Sequence, residues 1–157
     1  MEAAFIVDHN AGKIAKWLRM LGYDTLFFTG EDDFTMVSIA MRENRIILTR
    51  DTGVMKRRQI SSGRVKAILL ASDNSQLQIQ QVLRTLKINN SFALFTRCLE
   101  CNKLLVERTK EEVEGRVPPY VYSTQEHYVE CTFCKRIYWK GTHWQAMIDK
   151  ISRFTES

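Results

Sequence analysis

Along the first ninety residues, apolar and polar positions follow two rhythms. Short continuous apolar runs at Phe5-Ile6-Val7, Thr25 to Phe28, Ile46 to Thr49 and Ala67 to Leu70 have the length of buried strands. The segments between them have helical spacing. Ile14, Trp17, Leu18 and Leu21 fall on one face and Lys13, Lys16 and Arg19 on another, with Gly22 where a helix end favours glycine. A second helix is predicted after the polar Thr29 to Asp33 turn, burying some of Phe34, Val37, Ala40 and Met41. After strand three comes a short basic segment, Val54 to Arg58, then the polar Ser61-Ser62-Gly63. A further helix spans Ser75 to Leu86, with Ile79, Val82, Leu83 and Leu86 on one face.

Continuous apolar strands alternating with amphipathic helices predict a parallel sheet covered on both sides, because right-handed crossovers place helices over both faces. Residues 1–90 are therefore expected to form a small doubly wound α/β domain. From Ser91 the texture changes to short strand-like pieces at Phe92 to Thr96, Leu104 to Val106 and Tyr128 to Val129, and a last helix runs from about Trp144 to Phe154. Residues 91–157 hold too little apolar material to fold without a staple.

All four cysteines fall in that second part, as Cys98-Leu99-Glu100-Cys101 and Cys131-Thr132-Phe133-Cys134, with 29 residues between the pairs. Each CxxC turn offers two thiolates, and two such turns complete a closed tetrahedral Zn²⁺ shell, which is structural. Free thiols or a redox pair fit less well, since neither CxxC opens a helix after a strand. The amino-terminal stretch lacks a cationic leader, and no run approaches the ~20 apolar residues of a membrane span. A cytoplasmic protein with no membrane association is expected, a setting in which paired CxxC motifs hold metal.

Three apolar runs also lead into aspartates: Asp8 after the first, Asp32 and Asp33 after the second, Asp51 after the third. In a parallel sheet these acids gather at the carboxyl edge, where α/β proteins bind ligands. Asp24 precedes its strand and belongs at the opposite edge. An aspartate after a strand can simply cap the next helix. Three at one edge repel one another, and Mg²⁺ or Mn²⁺ relieves that repulsion. Such an ion can orient and deprotonate a water against a phosphodiester.

The net charge of +5 changes the picture modestly: basic residues exceed acidic ones by four over residues 1–90 and by one over the rest. A polyanionic partner is plausible, and so is an ordinary soluble surface. Lys13, Arg19, Arg50, Lys56, Arg57 and Arg58 flank the acidic edge and are candidates for holding phosphates, with a solvated surface role as the alternative for each. Tyr120, Tyr122, Tyr128, Phe133, Tyr138, Trp139 and Trp144 crowd the second part; most are expected to pack around the zinc core and some to stack on unpaired bases. His9 is a possible contact beside Asp8, and His127 and His143 are spare metal ligands that four cysteines make unnecessary.

Taken together, the stretches FIVDHNAGKIAKWLRMLGYDT, DDFTMVSIA, RIILTRD, RCLECNKLL, GRVPPYVY and CTFCKRIYWKGTHW resemble the PIN-like ribonuclease family found at the carboxy-terminus of Mut-seven exonucleases and as stand-alone proteins. The resemblance covers nearly the whole chain. It implies a PIN-like nuclease domain over 1–90, a zinc ribbon with a C-terminal helix over 91–157, RNA as substrate, and metal-dependent hydrolysis. By position it implies Asp8, Asp33 and Asp51 as the metal-binding acids, with Asp73 or Asp32 as a further ligand left open. The chain departs from the family at Ala11, where an apolar leucine is usual. A Mg²⁺ or Mn²⁺ dependent ribonuclease is the expectation, against a non-catalytic RNA-binding or ribosome-associated module, or a protein-interaction adaptor. Oligomeric state, RNA target and endo or exo action stay open.

Overall fold

The structure, a computed structural model, describes residues 3–88 and 92–155. The expected boundary at Asn90 lies outside the described residues. Four parallel strands, β1 (Phe5–Val7), β2 (Thr25–Phe27), β3 (Ile46–Thr49) and β4 (Ala67–Leu69), stand in the order β2-β1-β3-β4. The chain steps from β1 to one side, crosses back over it to β3, and continues outward. The carboxyl ends of β1 and β3 therefore form the switch point at which such sheets open a crevice.

Both sheet faces are covered, which is why the strands are apolar apart from Thr25 and Thr49 at their ends. One face carries α1 (Lys13–Met20) and α5 (Ser75–Thr85), so that Phe5, Val7 and Leu48 bury against Ile14, Leu18, Ile79 and Val82. The other carries α2 (Asp33–Glu43), α3 (Thr52–Met55) and α4 (Arg58–Ser61), whose Met36, Val37, Ala40, Val54 and Ile60 enclose Ile6 and Ile47. On α2 the buried set is Met36, Val37 and Ala40, whereas Phe34 and Met41 are exposed. Gly22 ends α1 at φ +100°, and a Cβ there would lie 2.4 Å from the carbonyl oxygen of Ala93. Only glycine tolerates both constraints.

The second part holds a three-stranded antiparallel sheet, β5 (Leu105–Arg108), β6 (Tyr128–Cys131) and β7 (Ile137–Trp139), with α6 (Pro119–Thr124) between β5 and β6. The strand expected over Phe92 to Thr96 is absent. That stretch is irregular, with Phe92 and Leu94 packed against the core of the larger sheet and the Ala93 amide bonded to the Leu21 carbonyl. The last helix, α7 (Thr142–Thr155), also returns to that core through Trp144, Met147 and Ile151. The C-terminal helix thus packs against the core of the larger sheet and, through Trp144, against Phe95 and Tyr138. No helix among the described residues is long and apolar enough to cross a membrane.

The small ribbon core of Val113, Val121 and Tyr128 is backed by a buried carboxylate. Glu130 accepts from Arg116 through both oxygens, at 3.1 and 2.8 Å, and from Arg108 Nε at 2.8 Å. These charged donors, Arg116 first, hold its carboxyl down at about 2, against 4.5 for a free glutamate. A carboxylate with a depressed folded-state pKa contributes stability above its unfolded pKa and loses it as pH falls through the folded value. The ribbon is accordingly expected to lose stability between about pH 4.5 and 2. Thermal melts should show that loss in the parent chain, while Glu130→Gln should melt lower at pH 7 with a flatter acid profile.

Candidate functional site

Asp8 follows β1 and is 3 % exposed. A buried carboxylate has to be compensated. Its Oδ2 accepts from the Thr49 hydroxyl at 2.8 Å and its Oδ1 from the His9 amide at 2.8 Å, with His9 Nδ1 3.0 Å away. Thr49, fully buried at the end of the neighbouring β3, also accepts from the Asp51 amide at 3.0 Å. One hydroxyl therefore joins the Asp8 side chain to the backbone that carries Asp51.

Asp51 caps α3, its Oδ1 accepting from the Gly53 amide at 2.8 Å. Among the described residues no hydrogen bond reaches its Oδ2. At the next helix the work is divided between neighbours: Asp32 caps α2, accepting from the Phe34 amide at 2.9 Å and the Thr35 hydroxyl at 3.2 Å. Asp33, half-buried one position later, has no hydrogen bond or ion pair from any described residue. Asp73 stands exposed beyond β4 at the same edge. Asp24 lies at the opposite edge, where burial pushes its carboxyl up but hydrogen bonds from Arg45 (2.9 Å) and Asn102 (2.7 Å) outweigh that and hold it below the usual value.

The acids share an edge without closing into a compact ligand set. Among the described residues, only Cys98, Cys101, Cys131 and Cys134 bring three or more ligand atoms within 4.8 Å of one another. A direct three-carboxylate shell is therefore not formed. Mg²⁺ keeps several waters and takes only one or two carboxylates directly, so it does not require such a shell.

Of the candidate cations, Lys13, Arg50, Lys56 and Arg58 are exposed and Arg57 is half-buried, and no described carboxylate pairs with any of them. The Arg50 amide donates to Asn10 Oδ1 at 3.3 Å, which ties the turn after β3 to the turn after β1. Arg19 is different. It is 8 % exposed, and its guanidinium donates to the carbonyls of Thr25 (2.9 Å), Leu99 (2.7 Å) and Glu100 (3.4 Å). The expectation that it steers phosphates is corrected: it holds the first cysteine turn against β2.

The cysteine cluster sits at the edge of the sheet opposite the acids. Cys98 Sγ and Cys134 Sγ are 3.7 Å apart, close to the ~3.8 Å sulfur spacing that tetrahedral Zn–S bonds of ~2.3 Å produce. Burial first, then its sulfur neighbours, push the Cys101 thiol up to about 12. Burial also works against the Cys134 thiolate, yet hydrogen bonds from Arg136 bring it down to about 6. Lying within 4.8 Å of one another, the four sulfurs can ligate a single ion. His127 is exposed and outside this group, and the side chain of His143 lies outside the described residues.

Residues 3–151 match the Mut7-C RNAse domain. The chain belongs to that family. Over 100 residues it is 33 % identical to the human protein named "Exonuclease mut-7 homolog", a stretch that is 62 % of this chain and 11 % of that protein. No solved structure matches it.

Within the Mut7-C chain two contributors escape a reading of sequence alone. Thr49 carries the only signal available, a hydroxyl at the end of an otherwise apolar strand. Asn102 gives none: at φ 62° after Cys101, it accepts from the Thr25 amide at 3.0 Å and donates to Asp24. Removing the buried Arg19 guanidinium strands the carbonyls it serves, at about 1–3 kcal/mol. Arg19→Ala should therefore lower the melting temperature by several degrees, with any change in RNA affinity following from that loss of stability. Loss of affinity at unchanged stability would restore the phosphate role.

Proposed function

We propose that this Mut7-C chain is a metal-dependent ribonuclease with Asp8, Asp33 and Asp51 as its acids. The observation that carries the reading is the switch-point geometry: buried Asp8 and capping Asp51 end adjacent strands and share the Thr49 hydroxyl, beside the unpartnered Asp33. Three carboxylates at one edge, with no lysine or arginine among the described residues paired to any of them, favour a hard divalent ion, Mg²⁺ or Mn²⁺. When bound, such an ion supplies an activated water and a positive charge against the departing oxyanion.

The chain's own residues do the rest. Asp8 is fixed by Thr49 and His9, so its remaining lone pairs point from a rigid strand end rather than a mobile loop. Asp51 keeps one oxygen on the helix cap and offers the other to the crevice. Lys13, Arg50, Lys56, Arg57 and Arg58 leave the same edge and give an RNA backbone its counter-charges. The family's description as an RNase domain and the relative's name as an exonuclease support the same reaction class.

The four cysteines hold Zn²⁺, which closes the ribbon and takes no part in the chemistry. The ribbon assists RNA binding. A non-catalytic RNA-binding module is the rival, and it predicts affinity without cleavage.

Asparagine caps helices as well as aspartate does. Asp51→Asn should therefore keep the α3 cap, change the melting temperature by about a degree or less, and reduce Mg²⁺ or Mn²⁺ dependent cleavage of single-stranded RNA at least about a hundredfold. Omitting Mg²⁺ and Mn²⁺ should abolish cleavage by the parent chain, and adding either back should restore it. Binding of RNA with no metal-dependent cleavage would favour the rival. A second measurement addresses the ribbon: elemental analysis should find one zinc per chain, and Cys134→Ser should lose it together with the upper part of the thermal transition.

A further inference from the structure

We infer that the substrate is a single strand that leaves the acidic edge along α1, crosses Trp144, and ends in an aromatic cleft on the ribbon. The inference rests on the ribonuclease reading above and adds to it the path and the form of the RNA. Two grooves define that path. The first, of about 840 Å³, begins at the acidic edge with Gly12, Lys13 and Phe27 and ends at Leu99 and Glu100 of the first cysteine turn. It follows α1, an eight-residue helix and so about 12 Å long. The second, of about 390 Å³, is walled by Tyr120, Tyr138 and Trp139 with Lys140 at its rim.

Trp144 lines both grooves and joins them. Its ring is held in place, stacked on Phe95 at 4.3 Å and 20° and set edge-on to Tyr138 at 6.3 Å. Tyr120 lines the second groove and is 72 % exposed on α6, so its ring face is open to a base. Rings fixed beside a cationic channel are what unpaired bases stack on, and a duplex hides those base faces.

The charge of the path matches a phosphate backbone. Lys13 and Lys16 lie one turn apart on α1, on the same face. The one carboxylate lining the first groove, Glu100, is bound to Lys16 at 2.8 Å, and no carboxylate lines the second. Both members of that pair are more than a third exposed, so the contact is weak and phosphate can replace it.

All three tryptophans of the chain, Trp17, Trp139 and Trp144, line these grooves, so tryptophan fluorescence reports occupancy without any reference to cleavage. With the Asp51→Asn chain in buffer without added Mg²⁺ or Mn²⁺, a short unstructured RNA should quench that fluorescence saturably, and a blunt RNA duplex of equal length should bind far more weakly. Lys13→Gln with Lys16→Gln should weaken the single strand roughly tenfold and lower its salt slope by about 1.4, the value for two phosphates. Tyr120→Ala should cost at least about fivefold through one lost stack. All three positions are accessible or half-accessible, and melting curves check that the variants fold. Equal binding and quenching by the duplex, or variants that bind like their parent, would overturn the path. Quenching that responds to these variants in a protein that never cleaves would sink the nuclease reading and keep the path. Cleavage with no quenching would do the reverse.

Discussion

A carboxylate buried at the junction of two parallel strands is the constraint on which the site depends. Asp8 loses nearly all of its water, and the chain compensates with the Thr49 hydroxyl and the His9 amide. That compensation fixes more than Asp8. Because Thr49 also accepts from the Asp51 amide, the turn that starts α3 is set relative to the end of β1. Crossing the chain back over β1 to make β3 is what places the two strand ends side by side, so topology and electrostatics act on the same few atoms.

The opposite edge of the sheet has a second anchor. Arg19, Asn102 and Asp24 connect α1, β2 and the first cysteine turn through carbonyls, an amide and a carboxylate. The same contacts blunt an open strand: the Thr25 amide on edge strand β2 is taken by Asn102, as the backbone beside edge strand β4 is taken by the Gln81 side chain. With α7 returning to the core, the ribbon is held to the larger sheet at both of its ends. Leu99 and Glu100 of the cysteine turn and Trp144 and Met147 of α7 accordingly line the groove along α1.

The doubly wound sheet was legible because strands buried on both faces must be apolar throughout, and helices between them must be amphipathic. The four-cysteine cluster was legible from spacing alone. Where packing decides, the sequence is silent. Arg19 reads as one more cation on a polar helix face and is buried only because a segment eighty residues away covers it. Phe92 to Thr96 reads as a strand, yet its apolar side chains find an existing core and its backbone needs no partner strand. β7 and α6 were missed for the converse reason: in so small a sheet the rings of Tyr138 and Trp139 serve the cysteine turn and the ribbon core rather than a periodic face. The Asp32-Asp33 pair divides capping from availability by a single position, which no pattern of residue types distinguishes.

Convergence of Asp8, Asp33 and Asp51 on one hard cation is the central claim, and Mn²⁺ binding tests it most directly. Titration followed by the manganese electron paramagnetic signal should show one site in the parent chain, weakened about tenfold or more when Asp8, Asp33 or Asp51 is replaced singly by asparagine. Asp24→Asn should leave that site unchanged. Manganese affinity that ignores all three replacements, or falls equally with Asp24, would contradict the account.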